Sequence, residues 1–245
     1  MRETMSERER ILKEVRAAFE HEPLINLHRY PIHMEWSDEV LTLEGEVENI
    51  AAKKLGMELA AAIPGVRGVV DRLHVVPATP MGDGAILDAV RNALIQEPAL
   101  QHCTLRVKAK GKVETVREGY PESRGVIEIS VNNGVVLLDD HVPSLMQKRL
   151  AGVLAWWVPG SRDVVNGMGV EPPEEDNDEE ITDAVRMVFE KNPLVNVDQI
   201  AVSTQNAVVT LEGLVINQAQ KHMAEFDAWY VFGVDKVVNK LTVRE

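Results

Sequence analysis

The sequence predicts an α+β protein built from three tandem αββαβ units, each with two helices on a three-stranded mixed sheet. Three observations carry this. "IPGVRGVVDRLHV" (63–75) returns as "VPGSRDVVNGMGV" (158–170) and as "VFGVDKVVNKLTV" (231–243). Twenty residues before Gly65 and Gly233 stand Gly45 in "VLTLEGEV" and Gly213 in "VVTLEGLV"; twenty before Gly160 stands Asp140 in "VVLLDDHV". Each copy also opens on a helical pattern that runs out at a proline: "ILKEVRAAFEHEP", "AILDAVRNALIQEP" and "EITDAVRMVFEKNP". Features held at fixed offsets across three copies mark an internal repeat.

The elements follow in order. In the opening helix of the second copy, Ile86, Val90 and Leu94 recur every fourth residue with Ala89 and Ala93 beside them, which makes one apolar stripe. Pro98 lies beyond the stripe, where a helix must stop. Two strands come next. Ile200 and Val202, then Val209 and Leu211, alternate as half-buried strands do. "SDE", "NNG" and "QNA" are the turn triplets between these strands in the three copies. A second helix follows, and Gly65, Gly160 and Gly233 stand where it ends, positions where glycine can take the left-handed C′ conformation. The pairs Val69-Val70, Val164-Val165 and Val237-Val238 then begin a core strand. The recurring motif is a helix stop joined to a strand, a requirement of folding and no sign of catalysis.

This pattern resembles the BON domain, the small αββαβ module of bacterial osmotic-stress and envelope proteins. The resemblance rests on Gly45 and Gly213 in the "VxLxG" strand, on Gly65-Val66 and Gly233-Val234, and on the "VVD" or "VVN" that follows each closing glycine. The third copy matches best. The second departs most, with Asp140 for the first glycine, Ser161 for the valine after Gly160, and about twenty inserted residues. The units are 9–76, 84–170 with an inserted hairpin at about 104–124, and 180–244, with an acidic linker at 171–180. The resemblance implies a non-catalytic binding or scaffolding module, proposed in the family to contact phospholipid or other envelope components, with no catalytic residue, cofactor or metal to carry over. A stress-response role for a bacterial protein is part of that implication.

Composition agrees with a packed soluble protein: 245 residues, 45% hydrophobic and 27% charged. The single cysteine, Cys103, excludes an internal disulfide. The opening stretch lacks an apolar signal-type run, and no segment approaches the roughly 18 apolar residues of a membrane span, so the chain reads as cytoplasmic. Net charge is −13, and residues 171–180, "EPPEEDNDEE", hold seven acidic side chains and no basic one. Such a run repels itself and reads as extended. "PATP" (77–80) is the short connector between the first two units, which are expected to pack closely, while the third hangs on the acidic run.

The seven histidines show no metal-ligand spacing, and His28 and His33 fall in an irregular stretch and a strand start. "GVRG" (65–68) mimics a nucleic-acid-binding GxxG loop, but the other copies lose the second glycine and the acidic balance argues against nucleic acid. Two features rise above this background. Four residues before the closing glycine stand Trp156 and Trp229, and three before it Trp157 and Tyr230. A helical wheel turns Trp156 and Trp229 away from their own sheet, so they are candidates for a partner or membrane surface. A neighbouring repeat, a second subunit in a homo-oligomer, and a membrane interface all remain open. The second feature is the insertion 104–124, with six basic and three acidic residues, in which Arg106, Lys108 and Lys110 alternate with Leu105, Val107 and Ala109. They form a candidate patch for anionic ligands such as phospholipid headgroups, or a lysine-guarded edge that merely prevents sheet association. The rival function is a cytosolic protein–protein or self-assembly module.

Overall fold

The computed structural model describes residues 6–120 and 125–244. Residues 121–124 of the expected insertion lie outside the described residues. The first repeat comprises α1 (Glu7–His21), β1 (Ile32–Ser37), β2 (Val40–Val47), α2 (Ile50–Ala61) and β3 (Gly68–Val75). The second comprises α3 (Asp83–Gln96), β4 (Thr104–Ala109), β5 (Lys112–Arg117), β6 (Val126–Asn132), β7 (Val135–Val142), α4 (Leu145–Trp156), β8 (Asp163–Asn166) and β9 (Gly169–Val170). The third comprises α5 (Asp178–Lys191), β10 (Ile200–Gln205), β11 (Val208–Val215), α6 (Gln218–Tyr230) and β12 (Lys236–Val243).

The sheets of the first and third repeats run β1-β2-β3 and β10-β11-β12, an antiparallel hairpin followed by a parallel strand. A parallel return needs a crossover, and α2 and α6 supply it. Each hairpin turns on two residues of positive φ, Asp38-Glu39, Asn133-Gly134 and Asn206-Ala207, as the twist of paired strands demands. Apolar stripes drive the helices onto one sheet face: Ile11, Val15 and Phe19 on α1, and Ile86, Val90 and Leu94 on α3, are fully buried.

The middle sheet corrects the expectation of three strands. It has six: β5-β4-β6-β7-β8 in order, with β9 also paired to β7. The hairpin β4–β5 accounts for two, with β4 parallel to β6. The last strand is split into β8 and β9 where Gly167 donates to Leu138 O at 2.8 Å and Met168 turns into the core. Strand alternation lets only the first valine of each Val-Val pair face the helices; Val70 and Val165, 40% and 46% exposed, lie on the open face.

The chain divides into two compact units, one ending at Val76 and the other beginning at Pro77, so the third repeat shares a body with the second. The acidic run is not a free tether. Asn177 caps α5, and Asp178, Glu179 and Glu180 form its first turn, where the helix dipole favours carboxylates. Glu174 accepts from the Leu145 N–H at 2.7 Å at the start of α4, and Asp176 pairs with Arg149 on α4. No helix of the described residues is long and apolar enough to cross a membrane.

The closing glycines act differently from a C′ cap. Gly65 and Gly233, at φ 105° and 91°, lie in the loops beyond the helix caps Ala62 and Val231. Gly160 has no positive φ; a Cβ there would come within 2.6 Å of Met81. It is glycine for space.

Candidate functional site

The aromatic residues do not form an open face. α4 of the second repeat packs against α5 and α6 of the third. At this seam the Trp156 and Tyr230 rings stack, centroids 5.4 Å apart. Trp157, the C-cap of α4, donates its indole N–H to Asp227 Oδ1 at 2.8 Å, and Asn192 donates to Asp227 Oδ2 at 2.7 Å. Trp229 is only 1% exposed, so it is closed to a membrane or a second subunit, and of the partners expected for this position only the neighbouring repeat is left. Trp156, Trp157 and Tyr230 are half-buried. A wheel drawn on one helix knows only one burying surface, and a neighbouring repeat supplies a second: Trp156 of the second repeat stacks on Tyr230 of the third.

The seam also holds charge. The Arg149 side chain is fully buried; its Nε donates to Phe232 O at 2.9 Å and its Nη2 meets Asp176 at 2.5 Å. Gly233 makes room for this, because a Cβ there would lie 3.2 Å from Arg149 Nη2. Lys148 sits over the Phe232 ring at 4.6 Å, and Lys191 pairs with Glu97 at 2.7 Å. Burial raises the Asp227 carboxyl to about 6, against the pull of its two donors. Tyr230 is pushed up to about 12 by burial and by Asp227 beside it. The wheel missed Arg149 and Asp227, since a lone charge in an otherwise mixed helix gives no sign of burial.

The basic hairpin stands clear of this seam. Arg117 anchors it, donating to the carbonyls of Ile95 in the last turn of α3 and of Leu100 and Cys103 beyond it. Of the candidate cations, Arg106 faces Asp140 at 3.9 Å and Lys108 faces Glu128 at 3.4 Å, so both are drawn onto the sheet by acidic neighbours. Lys110 stands at the turn with Gly111 and Lys112, and all three are exposed. The cationic feature is therefore centred on the tip, Lys110 and Lys112, with Val113 exposed beside it. The structural glycines Gly45 and Gly213 hold φ 148° and 140° opposite Ile32 and Ile200, and Asp140 takes φ 82° at the matching place opposite Ile127. Among the described residues, no three His, Cys, Asp or Glu side chains are grouped to hold a metal ion.

Comparison with known proteins gives a family match in three places: the BON domain model matches residues 8–77, 114–172 and 177–245. The middle match begins inside β5, after the inserted strand has interrupted the pattern. Among solved structures the chain is similar to the C-terminal domain of CdsD, the structural protein of the type III secretion system of Chlamydia trachomatis, at 14% identity over 96% of this chain and 98% of that one, with a TM-score of 0.26. A second CdsD structure gives 14% identity, 96% and 94% coverage, and a TM-score of 0.24. Superpositions of that quality bear on neither arrangement nor function.

Proposed function

The chain belongs to the BON domain family, and from that premise we propose a non-catalytic protein that binds anionic phospholipid surfaces through the tip of its inserted hairpin, in the service of an envelope or stress response. The observation that carries this is the exposed Lys110-Gly111-Lys112 turn at the end of the β4–β5 hairpin, in a protein of net charge −13. Each lysine near an anionic membrane contributes about 1 kcal/mol, and an exposed valine beside them suits the apolar boundary beneath the headgroups. The chain's own acidity opposes approach, so the contact is weak and sensitive to salt. A cytoplasmic location is part of the same proposal.

Co-sedimentation with liposomes tests it. Vesicles containing anionic lipid should pellet the protein at low ionic strength and release it at high salt, while neutral vesicles leave it in solution. Lys110→Gln with Lys112→Gln should abolish pelleting without changing thermal stability. Binding unaffected by that pair would remove the hairpin from the function.

A further inference from the structure

Helices α3 and α4 cover one face of the middle sheet, and among the described residues the other face is open. A single row crosses it through paired Cα positions: Val113 on β5, Lys108 on β4, Ser130 on β6, Leu137 on β7 and Val165 on β8. Val113, Leu137 and Val165 are 51%, 37% and 46% exposed. The corresponding row holds Glu35, Thr42 and Val70 in the first repeat, and Ser203, Thr210 and Val238 in the third. The leucine and the hairpin valine thus belong to the middle sheet alone. The adjacent row is charged and graded: Arg106 on β4, Glu128 on β6 and Asp139 on β7. With Lys108 on β4 and Asp163 on β8, one side of this face is basic and the other acidic.

We infer that this face binds a second copy of the chain, the two middle sheets packing face to face about a two-fold axis parallel to the strands. An isologous contact must be self-complementary. A two-fold along the strands reverses the strand order, so the basic side of one sheet covers the acidic side of the other. A two-fold across the strands sets Arg106 over Arg106 and is disfavoured. Sheets stacked in this way keep their strands within about 30° of each other. In the favoured arrangement Val113 meets Val165, the aliphatic stem of Lys108 covers Leu137, and Arg106 faces Asp139. Glu128 comes close to its own copy at the axis, where the Lys108 ammonium 3.4 Å away offsets the repulsion. This association goes beyond the lipid contact and does not use Lys110 or Lys112; Val113 alone is common to both, so the association is measured without lipid.

Sedimentation equilibrium of the full chain without lipid, from about 1 to about 100 μM, tests it. A reversible monomer–dimer equilibrium is expected. Val113→Lys and Val165→Lys should each weaken it about tenfold or more, because a charge then sits in the apolar contact that the two valines make at each end of the row. Arg106→Glu should weaken it, and adding Asp139→Lys should recover affinity. Circular dichroism confirms that each variant is folded, and Val113, on an exposed edge strand, is the site least tied to stability. A chain that stays monomeric throughout overturns the inference, as does a dimer indifferent to both valine variants. A double variant no better than Arg106→Glu overturns the strand-parallel axis.

Discussion

Trp157 and Asp227 are joined across seventy residues of chain by one hydrogen bond of 2.8 Å from an indole N–H to a buried carboxyl. The bond ties the end of α4 to α6. Its acceptor is a carboxyl whose proton affinity burial has raised, and both of its donors are neutral side chains.

That carboxyl should make the seam sensitive to pH. Its folded value of about 6 stands above the ordinary 3.8, so the folded state holds the proton more tightly than the unfolded one. The stabilisation is fully present below the unfolded value and is lost as pH rises through about 6. It amounts to about 3 kcal/mol at most. Asp227→Asn should flatten this part of the profile. Urea unfolding of the wild type and the variant between pH 4 and 7 measures it; parallel profiles would refute it.

Trp229→Ala should be severely destabilising. A fully buried tryptophan removed from a packed interior costs about 3–5 kcal/mol. Denaturant midpoints of the full chain report the loss. A variant within about 0.5 kcal/mol of wild type would show that the surrounding helices close over the gap.

Asp176→Asn should loosen the third repeat. It leaves the buried Arg149 guanidinium without its carboxylate. Breaking a buried pair costs about 3–5 kcal/mol, and the 40% exposure of the Asp176 side chain brings the expected loss down to about 1–3 kcal/mol. A red shift of tryptophan emission at lower urea than in the wild type is the readout.

Asp140→Gly should stabilise the second repeat. The other repeats place glycine opposite the first strand, and Asp140 holds a φ of 82° that L side chains resist. Relief of that conformation is worth about 1 kcal/mol. The exposed pairings of the Asp140 carboxylate with His141 at 2.6 Å and Arg106 at 3.9 Å are worth less. A lower melting temperature would reverse the ranking.

The repeat is legible in the sequence because it is written in main-chain demands. Gly45 and Gly213 must be glycine, since a Cβ would come within 2.9 Å of Pro31 O at the first and closer still to Gln199 O at the second. Alternation from Leu105 to Lys110 likewise reports a strand, whatever it pairs with. The seam is illegible for the converse reason. Arg149 meets Asp176 and Trp157 meets Asp227 only after two domains dock, and no local period encodes which helix faces which. The basic strip is legible by half: Arg106 and Lys108 are where the alternation puts them, but Lys110 falls in the turn at φ 50°, and Asp140 and Glu128, which draw off Arg106 and Lys108, arrive from β7 and β6.

The two anchors on the acidic segment, Glu174 at the start of α4 and Asp176 on Arg149, change how the third repeat should be regarded. A short tether fastened along its length holds its cargo at an effective concentration in the millimolar range or above. Docking across the seam is then a unimolecular closure. The seam contacts then have to offset only the entropy of closing that short loop, not the cost of bringing two separate molecules together.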